Sequence, residues 1–129
     1  MTSTMSQQIT VFGIPNCDTV KKSRVWLQEH GLHFVFHDFK KQGLDQATVE
    51  AWLQFVPLDR LINRKGTTWR ALTDEQKTLA EDANTAIPLI LSTPSLIKRP
   101  VVQIESTEQI RHVSVGFSPD QFKTIFENK

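Results

Sequence analysis

Ile9-Thr10-Val11-Phe12-Gly13-Ile14-Pro15-Asn16-Cys17-Asp18-Thr19-Val20-Lys21-Lys22 decides how this chain is read. Its first four residues are β-branched or aromatic and end at a glycine, the composition of a strand. Gly13-Ile14-Pro15-Asn16 then reads as a turn. From Cys17 the pattern becomes helical. Val20 and Leu27 share one face with Trp26 beside it, and Gly31 is placed to stop a helix ending near His30. Cys17 therefore stands where a strand turns into a helix. There its sulfur faces unpaired backbone N–H groups and the positive end of the helix dipole, and both favour S⁻ over SH. Lys21 lies one turn further on, and Lys22 adds to the positive potential.

Cys17 is the single cysteine of a 129-residue chain, so a disulfide framework is excluded. The residue three places after it is Val20, not a second cysteine. A mixed disulfide formed at Cys17 has no internal thiol to resolve it. Turnover then requires an outside thiol, most naturally glutathione or a glutaredoxin-type protein.

Outward from this stretch, Phe34-Val35-Phe36 reads as a second strand, joined to the first through a helix and hence parallel to it. Val49, Trp52, Leu53 and Val56 fall at helical spacing, with Asp45 as N-cap and Pro57 beyond the end. The stretch from Leu58 to Ala71 reads as irregular, with one helical turn at Leu58–Ile62. Thr73-Asp74-Glu75-Gln76 is a capping box opening a helix that ends near Asn84. A short helix over Thr85–Leu91 follows, with Pro88 in its first turn. Val101-Val102-Gln103-Ile104 and Ile110–Val115 form an antiparallel hairpin. Ser118-Pro119-Asp120-Gln121 is a second capping box, opening a last helix that buries Phe122, Ile125 and Phe126.

This order predicts an α/β, thioredoxin-like fold: a βαβ half and a ββα half in one mixed four-stranded sheet, with a helical insert at about residues 45–92. Residues 9–129 form a single domain, and residues 1–8 are a polar lead expected to be disordered. In this topology the Arg99-Pro100 peptide bond is expected to be cis, next to the start of the first helix. Arg99 then projects toward the sulfur and can offer forked donors to an oxyanion or a carboxylate.

A net charge of +1 gives no electrostatic case for nucleic acid. Local clusters exist at Lys21, Lys22 and Arg24, at Lys40 and Lys41, at Arg60, Arg64 and Lys65, and at Lys98 and Arg99. No segment has the length and apolarity of a membrane span. The polar start shows no export signal, so a cytoplasmic location is expected. His30, His33, His37 and His112 show no ligand spacing with Cys17, so no metal is expected. Trp52 and Trp69 read as packing residues.

Four segments resemble the ArsC/Spx/YffB family, most closely its YffB branch. They are Gly13–Lys22, Phe36-His37-Asp38, Gly66-Thr67-Thr68-Trp69-Arg70 and Leu96-Ile97-Lys98-Arg99-Pro100. The resemblance spans Ile9 to Phe126. It implies a thioredoxin-like domain with a helical insert. In the arsenate reductases it also implies a cysteine that attacks arsenate, arginines that cradle the oxyanion, and regeneration by glutathione and glutaredoxin. Cys17 matches the nucleophile and Arg99 the arginine before the proline. Asn16 and Pro100 match positions that shape the site. The arginine of the insert falls on Arg64 or Lys65.

Three positions depart from the reductase pattern. Gly13 replaces a histidine at the start of the cysteine loop, and Val20 replaces a hydroxyl residue. Gly116-Phe117 stands where a third arginine follows the hairpin, and Arg111 is not its equivalent by motif. An oxyanion held by fewer donors is less stabilised. The expected function is therefore a glutathione-dependent thiol oxidoreductase, with Cys17 as nucleophile and Lys21, Arg99 and Arg64 or Lys65 binding an anionic group. Glutathione is a co-substrate, and no tightly bound cofactor is expected. Two alternatives stay open: an arsenate reductase coupled to glutathione and glutaredoxin, and a Spx-like RNA polymerase-binding regulator. A monomer is expected, with glutathione and a glutaredoxin as partners and neither nucleic acid nor membrane.

Overall fold

The computed structural model describes residues 7–127. In chain order the elements are β1 (Gln7–Gly13), α1 (Asp18–Glu29), β2 (Val35–Asp38), α2 (Gln46–Leu53), α3 (Leu58–Leu61), α4 (Thr67–Arg70), α5 (Asp74–Leu79), α6 (Ala83–Ser92), β3 (Val101–Ser106), β4 (Gln109–Val115) and α7 (Pro119–Glu127). A 3-10 turn at Pro94–Leu96 precedes β3. They divide into two units. One holds the chain up to Asp38 and from Arg99 onward, and the other is Phe39–Lys98. Residues 1–6 of the expected lead lie outside the described residues. Gln7 and Gln8, expected in that lead, instead open β1, where they pair with Ser106 and Glu105.

The first unit is a sheet in the order β2-β1-β3-β4. β1 runs parallel to β2 and antiparallel to β3, and β3 is antiparallel to β4. With its flanking helices this is the thioredoxin-like arrangement. Alternation decides the buried face. Ile9 and Val11 of β1 and Val102 and Ile104 of β3 point into one cluster with Trp26 and Leu27 of α1 and Phe122 of α7. Phe122 is fully buried and meets Phe117 and Phe126 edge-on. Truncating such a side chain to alanine costs about 3–5 kcal/mol.

Local chemistry explains the ends of the elements. α1 closes in a Schellman motif, in which Leu32 N–H donates to the Leu27 carbonyl and Gly31 N–H to that of Gln28. Gly31 takes the left-handed φ of 69° that this motif needs. At the other end of the chain, Ser118 Oγ accepts from Gln121 N–H at 3.1 Å. The expected second capping box stays half made, because the Gln121 amide donates to the Val115 carbonyl instead.

The second unit is helical. Asp45 caps α2 through Thr48 N–H, and Trp52 and Val49 are fully buried. The box at Thr73 and Gln76 is complete in both directions. Its helix stops at Leu79 rather than near Asn84. Asp82 starts a new helix by accepting from Asn84 N–H, and Thr85 Oγ1 donates back to the Leu79 carbonyl. Consequently Pro88 lies inside α6 and not in its first turn. The carbonyl its missing N–H would have met belongs to Asn84, which is exposed to water. The helical turn expected at Leu58–Ile62 is α3, and α4 adds a second turn in a stretch expected to be irregular.

Candidate active site

Strand direction gathers the candidate residues of the sheet unit at one end. Gly13 pairs with Asp38, Phe12 with Val101, and Val101 with Val115. The C-terminal ends of β1, β2 and β4 therefore coincide with the N-terminal end of β3. The cysteine loop leaves from β1 there, Arg99-Pro100 enters β3 there, and Gly116 leaves β4 there. Arg99-Pro100 is cis, as the topology led us to expect. Gly116 N–H donates to the Pro100 carbonyl at 2.8 Å, fastening the two loops together.

Cys17 is the N-cap of α1. Its backbone is extended (φ −118°, ψ 123°) and its carbonyl accepts the N–H of Lys21 at 2.9 Å. Its side chain makes no capping hydrogen bond, and the residue is half-buried. The sulfur thus sits at the helix end where the first N–H groups have no partner inside the helix, without being consumed by them. Asp18, in the first turn, adds a carboxylate at the same end. Asn16 is exposed in the loop, and Pro100 is buried at the start of β3.

Of the cations, Lys21 is exposed one turn after Cys17, and Arg99 is half-buried. Arg24, which the sequence showed only as part of a basic cluster, lies over the Phe36 ring with its guanidinium carbon 4.2 Å from the ring centre. Its spacing from Cys17 and Lys21 was the available signal, since i, i+4 and i+7 share a helix face. Arg64 and Lys65 belong to the helical unit. Arg64 stacks on Trp69 at 5.0 Å, with Lys77 on the same ring at 5.8 Å. The Lys65 carbonyl accepts from Arg70 Nη1. Trp69 therefore carries cations, where packing alone was expected of it.

The histidines have other occupations. His30 pairs with Glu127 at 3.1 Å and stacks on Trp26. His37 lies 4.8 Å from Phe12, ring to ring. Burial pushes the His112 imidazole below its ordinary value of 6.5. Among the described residues no three His, Cys, Asp or Glu side chains are grouped to hold a metal, and no helix is long and apolar enough to cross a membrane.

Residues 12–125 match the model of the ArsC family. The chain belongs to the ArsC family. A solved YffB protein is 39% identical and superimposes with a TM-score of 0.78, covering 90% of this chain and 96% of its own. An arsenate reductase (ArsC) related protein from Brucella melitensis is 43% identical with a TM-score of 0.69, covering 93% and 95%. An uncharacterized protein of Haemophilus influenzae is 40% identical over 92% of this chain and 98% of its own length. The global transcriptional regulator Spx of Streptococcus pyogenes is 26% identical over 91% of this chain and 84% of its own.

Within the ArsC family this chain's departures have structural causes. Gly13 is pressed against Val20, so neither position offers a polar group to the loop. Gly116 adopts φ 79°, a conformation that disfavours side chains, and Phe117 packs against Phe122. Arg111 cannot stand in for a third arginine. It lies four residues from Val115, about 13 Å down β4, and its Nη2 donates to Thr107 Oγ1 in the hairpin turn.

Proposed function

We propose that this ArsC-family protein is a glutathione-dependent monothiol oxidoreductase. The observation that carries the reading is Cys17: a half-buried residue whose sulfur is free of capping bonds, at the N-terminus of α1, in a chain with no second thiol. As thiolate, Cys17 attacks the glutathionyl sulfur of a mixed disulfide R–S–S–G. The Cys17–S–S–G bond forms, and R–S⁻ leaves and takes a proton from water. Glutathione thiolate then attacks the glutathionyl sulfur on Cys17, releasing oxidised glutathione and restoring the thiolate. The sum is RSSG + GSH → RSH + GSSG. Lys21 and Arg99 bind the anionic groups of the glutathionyl moiety. A glutaredoxin can replace glutathione in the second step. The reaction belongs in a reducing, glutathione-containing compartment, which is the cytoplasm, and needs no tightly bound cofactor and no second copy of the chain.

Incubation with oxidised glutathione followed by mass spectrometry tests this. One glutathione adduct is expected at Cys17 and none in Cys17→Ser. Absence of the adduct in the wild type overturns the reading.

Arsenate reduction is the second reading, favoured by the similarity to an arsenate reductase related protein and by Cys17 and Arg99 together. It has less support, because Gly13, Val20 and Gly116 leave the oxyanion with fewer donors. A coupled assay with arsenate, glutathione and glutaredoxin decides it. Activity equal to that of Cys17→Ser rejects it. A Spx-like role has the similarity to Spx behind it, but Val20 leaves no Cys-x-x-Cys switch. Co-purification with RNA polymerase is its test.

A further inference from the structure

Arg24 is a half-buried cation that the proposed exchange reaction does not use. Its Nε is buried with no hydrogen-bond partner, and among the described residues it meets no carboxylate. Its guanidinium lies over the Phe36 ring, with the central carbon 4.2 Å from the ring centre. A buried N–H without a hydrogen-bond partner is costly, and the contact of the guanidinium with an aromatic face returns only part of that cost. The ring lies under the guanidinium, and the outer N–H groups are left to donate to a ligand.

Two independent measures place this guanidinium relative to Cys17. Along α1, Arg24 is seven residues from Cys17, about 10 Å at 1.5 Å per residue, on the same face. Helical side chains lean toward the N-terminus, which brings the guanidinium back toward the sulfur. Along the sheet, Phe36 is level with Val11, two residues before the Gly13–Asp38 pair that ends the strands. That is about 7 Å below the end where the cysteine loop leaves. A thiol tripeptide spans about 10 Å when extended, so its sulfur can sit on Cys17 while a terminal carboxylate reaches Arg24. Lys21, exposed on the intervening turn, lies along the same path.

We propose that Arg24, seated over Phe36, is the carboxylate clamp that makes Cys17 select glutathionyl disulfides over uncharged ones. This rests on the glutathione reading above. A forked guanidinium fits a carboxylate in two parallel hydrogen bonds, and lysine offers only a point charge.

The test compares second-order rates of Cys17 modification by oxidised glutathione and by 2-hydroxyethyl disulfide, which carries no charge. The ratio of the two rates is expected to fall about tenfold in Arg24→Gln. Lys123→Gln, which removes an exposed charge from α7, should keep the wild-type ratio. The tetra-ester of oxidised glutathione, whose four carboxylates are all blocked, needs no variant. Wild type should modify at least tenfold more slowly with it than with oxidised glutathione, and in Arg24→Gln that difference should shrink about tenfold, to what Lys21 and Arg99 contribute. An unchanged ratio overturns the clamp, as do equal losses with both disulfides, which assign Arg24 to the thiol or the fold. If wild-type Cys17 reacts with 2-hydroxyethyl disulfide but not with oxidised glutathione, the glutathione reading itself fails. If wild type reacts with both and Arg24→Gln keeps the ratio, only the clamp fails.

Discussion

Gly13 and Val20 are fitted to each other: a Cβ on Gly13 would lie 2.8 Å from Cγ2 of Val20 and 3.3 Å from Cγ1. Val20 is fully buried. The strand end and the first turn of α1 approach this closely because position 13 has no side chain. The two positions where the cysteine loop departs from the reductase pattern are thus one packing unit, and they should change together.

Gly13→Ala should destabilise the protein by about 1–3 kcal/mol through overpacking. Val20→Ala should cost about 1–3 kcal/mol through lost burial. The double variant should cost less than the sum, with a coupling of about 1 kcal/mol or more. Urea unfolding of the four proteins measures this. Strict additivity would show that the contact does not constrain Gly13.

Cys17→Ser separates stability from chemistry. The sulfur makes no capping bond, whereas a serine hydroxyl at the N-cap can accept from the N–H two or three residues on. The variant should therefore be as stable as wild type or more stable, by up to about 1 kcal/mol, while losing all disulfide exchange. Thermal unfolding together with adduct formation checks both halves. A marked loss of stability would reassign Cys17 to packing.

His112 should give stability a pH dependence of definite sign. Burial lowers its folded value below the ordinary 6.5, and its Nε2 is buried without a hydrogen-bond partner. The unfolded chain then binds more protons than the folded one between the two values. This contribution is complete above pH 6.5 and is lost as pH falls from there through the folded value. Unfolding free energies measured from pH 7.5 down to 5 should decline more steeply in wild type than in His112→Gln. Parallel profiles would remove His112 as the cause.

The β3–β4 turn offers a stabilising change. Thr107 and Glu108 take φ of 52° and 63°, the two positive values of a type I′ turn that favours Asn-Gly. A β-branched residue is strained there. Replacing the pair with Asn-Gly should raise stability by about 1 kcal/mol, despite losing the Arg111 bond to Thr107 Oγ1. Chemical denaturation decides, and a loss of stability would show that this bond outweighs the strain.

Nearest-neighbour chemistry made much of this protein legible in sequence. The β1-turn-α1 unit, the stop at Gly31, the caps at Asp45 and Thr73 and the hairpin all follow from short-range patterns, and the cis Arg99-Pro100 bond followed once the topology was read from them. So does the placement of Cys17 at a helix start, since a strand, a tight turn and a helix are consecutive in the chain. That the chain has a single thiol needed only a count.

Relationships between distant residues depended on strand register and helix packing. Sequence spacing could not show that Val20 occupies the space in front of Gly13, that Gly116 N–H is spent on Pro100, or that Arg24 stacks on Phe36 with its Nε buried. The break after Leu79 depended on Asp82 outbidding the continuing helix. Cys17 itself divides along the same line: its helix-start position is written in the local sequence, whereas which cations share its end of the sheet depends on which strands lie side by side.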